Sequence, residues 1–119
     1  MPHRTAVILA VGLTRDVIGP HTPRLRQLVA ESDLRTLVPT LPAVTCSVQS
    51  SMLTGVPIAR HGIVANGWYD RTLAEVQFWK QSNLLVAGDK VWDIARRRDP
   101  SVTTANLFWW YNMYSSADY

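Results

Sequence analysis

Residues 5–13 read "TAVILAVGL", a continuous apolar run rich in β-branched side chains, with Gly12 near its end. A run without polar residues at alternate positions is typical of a strand buried on both faces of a sheet. It is too short to span a membrane, and no small-residue cleavage site follows it. We therefore expect a central strand in a cytoplasmic protein.

Helix and strand patterns alternate along the rest of the chain. Residues 21–32 combine a threonine cap, a proline at the first helical position and apolar residues at helical spacing. Helices are predicted over 21–32, 45–55 and 89–98, and further strands over 34–42, 75–79 and 102–110. This order predicts an α/β fold with a mixed, mostly parallel sheet flanked by helices.

Length and composition narrow the classes of function. The chain has 119 residues, which suits one ordinary domain, and its net charge of +3 is modest. Its only dense basic run, residues 96–98, ends a predicted helix, where cations interact favourably with the helix dipole. Binding to a nucleic-acid polymer is therefore not predicted. The single cysteine, Cys46, excludes an internal disulfide, and the three histidines lack zinc-finger spacing.

Thr45 follows the second predicted strand, at a position where α/β sheets bind ligands. We expect it at or beside the N-cap of the helix over 45–55, with its hydroxyl near unpaired backbone N–H groups. Those donors and the positive end of the helix dipole would stabilise an alkoxide and the phosphate that it attacks. A threonine at an N-cap is often only a cap, so the position alone leaves both interpretations open.

Several short motifs surround Thr45 in residues 41–68, "LPAVTCSVQSSMLTGVPIARHGIVANGW". This segment resembles the type I phosphodiesterase/nucleotide pyrophosphatase family of the alkaline phosphatase superfamily. Members have P-x-x-T, then L-T-G-x-x-P, then H-G-I and a nearby asparagine; the matching positions are Pro42, Thr45, Leu53 to Gly55, Pro57, His61 to Ile63, and Asn66. The opening run, the "TPRL" helix start and residues 91–110 are also similar, so the resemblance spans nearly the whole chain.

The resemblance implies an alkaline-phosphatase-like fold. The chain ends just past its last predicted strand, with no helix to cover it. We therefore expect residues 1–119 to be the N-terminal part of a single catalytic domain whose remainder is missing. The part alone is expected to be inactive.

The resemblance also implies roles for two residues. Thr45 would be a metal ligand and the nucleophile, activated by a divalent metal, and would form a phospho-threonine intermediate. Asn66 would donate to a non-bridging phosphate oxygen. The sequence "ANG" over 65–67 favours a turn, in which Gly67 can adopt conformations that other residues avoid. Zinc is the expected metal. The family usually has a metal-binding aspartate followed by glycine after its first strand, whereas Val11, which cannot coordinate a cation, stands here before Gly12. Asp16 lies five residues further on and would have to reach the metal from a different part of the loop.

The resemblance therefore implies a metal-dependent hydrolase of a small phosphodiester or nucleotide substrate, without nucleic-acid polymer or membrane partners. One alternative is a phosphonate hydrolase of the same superfamily. The other is a non-catalytic member with a degraded metal site. The oligomeric state stays open.

Other residues have competing interpretations. Cys46 could be a nucleophile with His61 as its base, but a small thiol beside a helix start is more often a packing residue. His61 is better explained as a structural histidine that fixes a turn. The C-x-P-x-R motif of the related sulfatases is absent, since the matching window is "CSVQS". The aromatic run over 108–114 could stack on a base or sugar, or belong to the core.

Overall fold

The computed structural model describes residues 3–119. The chain divides into two compact units, Met1–Val38 and Pro39–Tyr119. The elements in chain order are helices α1 (Pro23–Ala30), α2 (Thr45–Thr54) and α3 (Ile58–His61), strands β1 (Gly67–Asp70) and β2 (Glu75–Phe78), and helix α4 (Val91–Arg98). Short 3-10 turns occupy Arg15–Val17 and Asn83–Leu85. Within residues 3–119, no helix has the length and apolar character that crossing a membrane requires.

The first unit contains one α-helix. α1 begins at Pro23, so the predicted helix is confirmed with narrower bounds. Thr22 is its N-cap residue, but its hydroxyl accepts from the Gly19 N–H at 2.8 Å and donates to the Val17 carbonyl at 3.1 Å. The hydroxyl thus holds the preceding turn. None of residues 3–38 is buried.

The predicted strand over 5–13 is wrong for this structure. The backbone there forms no strand, and Val7, Ile8 and Val11 are exposed. A strand needs a neighbour to accept and donate its backbone hydrogen bonds, and residues 3–119 provide none for this segment. The predicted strand over 34–42 is absent for the same reason. The predicted strand over 102–110 is also absent: the Asn106 N–H donates to the Tyr119 carbonyl and the Thr104 carbonyl accepts from the Tyr119 N–H, but this pairing does not extend into a strand.

The second unit contains an antiparallel hairpin. β1 pairs with β2 from Gly67 opposite Phe78 to Asp70 opposite Glu75. The Asp70 carboxylate accepts the N–H groups of Thr72 and Leu73 and so fixes the connecting turn. The predicted strand over 75–79 is confirmed, while β1 was not predicted. The α/β class is therefore observed, but its sheet has two antiparallel strands instead of a mostly parallel order.

The core of this unit joins segments that are distant in sequence. Cys46 in α2, Ile63 after α3, Val86 and Tyr111 form one buried cluster, with Trp110 packed against it. α3 packs against α2. This core fixes the start of α2 next to the segment that leads from α3 into β1.

α4 confirms the predicted helix over 89–98 within the bounds Val91–Arg98. Its N-terminal end is held by the Asp93 carboxylate, which accepts the Lys90 backbone N–H at 2.9 Å. Buried Trp92 donates from its indole nitrogen to the Ser116 hydroxyl, which in turn donates to Asp93. These bonds attach the C-terminal segment to α4.

Candidate functional site

Thr45 is the first residue of α2, and Val44 is the N-cap. The expected capping hydrogen bond is therefore absent, because the cap residue has no polar side chain. The Thr45 side chain is half-buried, and its hydroxyl makes no hydrogen bond within the described chain, residues 3–119. This hydroxyl is consequently available to a ligand at the positive end of the helix dipole.

Ser47 fixes the turn that precedes Thr45. Its hydroxyl donates to the Pro42 carbonyl at 2.6 Å, and the same carbonyl accepts the Val44 N–H at 2.9 Å. This contact was not predicted from the sequence. A serine two positions after the first helical residue is the signal that could have indicated it, since short hydroxyl side chains often bond nearby backbone groups.

Asn66 lies at the N-terminal end of α2. The Cys46 N–H donates to the Asn66 Oδ1 at 2.9 Å. A backbone N–H can only donate, so the acceptor must be the amide oxygen, and the amide nitrogen remains as a donor for another partner. The Asn66 carbonyl accepts the Trp79 N–H at 3.0 Å. Asn66 is thus held on both sides, next to the residue that follows Thr45.

Gly67 corrects one expectation. Its φ is not in the left-handed region; it is instead the first residue of β1. A Cβ atom at this position would lie 2.8 Å from the Gln77 carbonyl oxygen and 2.9 Å from the Phe78 ring. Glycine is required here because the two strands approach closely, and not because of a special backbone conformation.

His61 is fully buried and uses both ring nitrogens. Its Nδ1 accepts the Ile63 N–H at 3.1 Å, and its Nε2 lies 2.9 Å from the Ser51 hydroxyl. Because Nδ1 accepts, the ring proton is on Nε2 and donates to Ser51. Burial lowers the pKa of His61 and favours this neutral form. The structural interpretation of His61 is confirmed.

Cys46 is a packing residue. Its side chain is completely buried in the core. Burial raises the pKa of the thiol, and the neighbouring Tyr111 phenol lowers it by less. The His61 ring bonds other groups, so the alternative of a Cys46–His61 catalytic pair is wrong. Burial also raises the pKa of Tyr111, whose phenol oxygen meets no hydrogen-bond partner at standard distance and angle.

The aromatic run over 108–114 is divided between core and surface. Tyr111 is buried, whereas Phe108 is fully exposed. The Trp110 backbone N–H donates to the side-chain oxygen of buried Gln49 at 2.7 Å, which attaches this run to α2. The ring centroids of Trp79 and Trp110 lie 4.8 Å apart in an edge-to-face arrangement. Part of the run is therefore core, and part of it is exposed on the surface.

The residues in the described range do not form a metal site by themselves. No group of three or more His, Cys, Asp or Glu side chains comes together in residues 3–119. A zinc site takes about four ligands, three of them from protein even in catalytic sites. Val11 is exposed, and Asp16 lies in an exposed 3-10 turn. Thr45 is the only predicted metal ligand of this chain.

The comparison with protein families identifies the class of protein. The family described as Type I phosphodiesterase / nucleotide pyrophosphatase matches residues 5–119. The chain therefore belongs to this family of hydrolases, and the suspected resemblance is confirmed. No curated protein and no solved structure matched the chain.

Proposed function

We propose that the protein hydrolyses small phosphodiesters or nucleotides, with Thr45 as nucleophile and Asn66 as a transition-state donor. One observation carries the proposal: the hydrogen bond from the Cys46 N–H to the Asn66 side chain. It joins the residue after Thr45 to an asparagine twenty positions further along the chain. Thr45 and Asn66 are the two positions at which the family motif has a hydroxyl and an amide.

The proposed first step is attack of the Thr45 hydroxyl oxygen on phosphorus. The new bond to phosphorus forms as the bond to the leaving oxygen breaks, and the leaving group takes up a proton. Water then cleaves phospho-threonine and restores the hydroxyl. The net reaction adds one water across a P–O bond.

This chain would stabilise the transition state from two directions. The N-terminal end of α2 supplies the positive end of its dipole at Thr45. The Asn66 amide nitrogen supplies a donor for a non-bridging oxygen, because the Cys46 N–H already engages the amide oxygen. A donor that is fixed before the reaction needs no reorganisation when charge develops.

A divalent metal, with zinc as the expected one, belongs to the proposal through the family. When bound, it would lower the pKa of the threonine hydroxyl. Thr45 would be the ligand from this chain, and the other ligands would lie in the remainder of a catalytic domain of which residues 1–119 are the N-terminal part. The same remainder would supply partners for a mostly parallel sheet.

The alternative of a non-catalytic member has one specific observation in its favour. Val11 occupies the position where the family usually has a metal-binding aspartate, and its side chain cannot coordinate a cation. Under this alternative, the Thr45 and Asn66 geometry persists without turnover.

The test is hydrolysis of bis(4-nitrophenyl) phosphate by the full-length protein with Zn²⁺ or Mn²⁺. Thr45→Ala is expected to lower kcat by several orders of magnitude, on the order of 10⁴-fold, because no covalent intermediate can form. Thr45→Ser is the matched control, since it keeps a hydroxyl. Asn66→Asp keeps the acceptor for Cys46 but loses the donor, and is expected to cost roughly 10²-fold to 10³-fold in kcat.

Mass spectrometry of acid-quenched turnover mixtures should detect a phosphorylated form that is absent in Thr45→Ala. Full activity in Thr45→Ala would disprove the assigned nucleophile. If the wild-type protein binds neither metal and turns over no phosphodiester, while Val11→Asp gains metal-dependent turnover, the non-catalytic alternative is correct.

A further inference from the structure

We infer that His61 is a positioning residue that sets the place of Asn66 relative to Thr45. The inference rests on the proposed function and concerns a buried histidine to which that function assigns no role. His61 joins the Ser51 hydroxyl of α2 to the Ile63 backbone N–H, three residues before Asn66.

Two hydrogen bonds attach the Asn66 segment to α2. The first comes from the Cys46 N–H in the first turn of the helix and ends on Asn66 itself. The second comes from the His61 Nε2–H and ends on the Ser51 hydroxyl, six residues after Thr45 and about 9 Å further along the helix axis. A single hydrogen bond would let the segment pivot on the helix. Two attachments at separate points fix both its distance and its orientation.

Ile63 transmits the position of the ring to the segment. Its backbone N–H donates to the His61 Nδ1, and its side chain is buried in the core cluster that contains Cys46. The His61 carbonyl also accepts the Ala87 N–H at 3.0 Å, which fixes the backbone of His61. A displaced ring would therefore move Ile63, and Asn66 with it.

The ring is suited to this role only in one tautomer. Nδ1 must accept from Ile63, and Nε2 must donate to Ser51. The role thus requires an acceptor close to the backbone and a donor further out on the same rigid side chain. Asparagine can reproduce the acceptor for the Ile63 N–H, and glutamine can reproduce the donor to Ser51. The two substitutions therefore separate the two contacts.

The experiment measures kcat and KM of the metal-loaded full-length protein with bis(4-nitrophenyl) phosphate. His61→Asn and His61→Gln are each expected to lower kcat about 10-fold to 100-fold with little change in KM, because a misplaced transition-state donor costs rate more than binding. Ser51→Ala should act like His61→Asn. The double variant Ser51→Ala/His61→Asn should lose no more than His61→Asn alone, since both remove one shared contact.

Ser50→Ala is the matched control. Ser50 precedes Ser51 on α2 and is buried, but its hydroxyl makes no hydrogen bond within residues 3–119. Its loss should leave kcat unchanged. The second readout is hydrogen exchange of the Cys46 N–H under native conditions. Protection of this amide should fall in Ser51→Ala and His61→Asn, and stay at the wild-type value in Ser50→Ala.

Two outcomes would overturn the inference. The first is wild-type kcat and Cys46 protection in the folded Ser51→Ala variant. The second is loss of kcat in Ser50→Ala equal to that in Ser51→Ala, which would indicate a general packing effect. Either result, obtained while Thr45→Ala is inactive, would leave the proposed function standing. Full activity in Thr45→Ala would instead refute the proposed function itself.

Discussion

The two units of the chain differ in how far their hydrogen bonds reach. Within residues 3–38, no hydrogen bond spans more than five positions. In Pro39–Tyr119, the backbone N–H of Cys46 donates to Asn66, and the backbone N–H of Trp110 donates to Gln49. All buried residues of the described chain lie in this second unit. The first unit is built from local contacts, whereas the second has a core that joins distant segments.

The difference shows why one predicted element formed and another did not. A helix satisfies its backbone within its own segment, so α1 forms without help from distant residues. The run over 5–13 has more apolar character, yet its backbone requires a partner strand. Apolar pattern alone therefore did not decide whether an element formed; a partner for the backbone did.

Hydrogen exchange should give the largest contrast between the units. In the 119-residue chain, the amides of residues 6–11 are expected to exchange near their unprotected rates, because they have no hydrogen-bond acceptor in residues 3–119. The Cys46 and Ala87 amides should exchange at least about 100-fold more slowly, since opening them requires disruption of the core. The measurement is residue-resolved exchange by NMR. Slow exchange throughout 6–11 would reveal a strand pairing and remove the contrast.

Substitution of one apolar residue in each unit should sharpen the comparison. Ile63→Ala is expected to cost about 2–5 kcal/mol in the free energy of unfolding, because the side chain is 2% exposed in the core. Leu28→Ala, at a side chain that is 59% exposed in α1, should change it by less than about 0.5 kcal/mol. Urea denaturation gives both values. Equal costs would show that α1 contributes to a core after all.

A pH titration should give the smallest effect, confined to the second unit. The folded pKa of His61 is lowered by burial, so the unfolded chain takes up a proton first as the pH falls. The stability contribution of neutral His61 is complete above its unfolded pKa of about 6.5 and is lost as the pH falls from there through the folded pKa. The Tm should therefore decrease between about pH 7 and pH 5.

His61→Gln supplies the control for this titration, because it removes the titrating ring at a position where a glutamine can still donate to Ser51. The Tm of this variant should vary less over the same interval. His3 and His21 are exposed and stay in both proteins. An unchanged slope in His61→Gln would assign the pH dependence to other groups.

Three of the four helices in residues 3–119 and the site motif were predictable from the sequence, while the short helix α3 and the pairings were not. α1, α2 and α4 were predicted from caps, periodicity and stop signals that act within a few residues. The Thr45 and Asn66 motif was recognised, but its roles in catalysis stay a prediction. The hairpin partner β1 and the contacts of Ser47 and Ser51 were missed, because they depend on which segments meet in space.

The sequence by itself determined the family and the helices α1, α2 and α4, and it pointed to the pair of residues on which the proposed chemistry depends, since these are recorded in local order and spacing. Only the tertiary structure decided that the Asn66 oxygen faces the Cys46 N–H, that His61 is a neutral link between α2 and Ile63, and that Gly67 permits close approach of two strands. It also decided that the most apolar run of the chain stays exposed. The physical reason is that a donor, an acceptor or an apolar surface is satisfied only by a group at the right distance, and the distance between remote residues is a property of the folded chain.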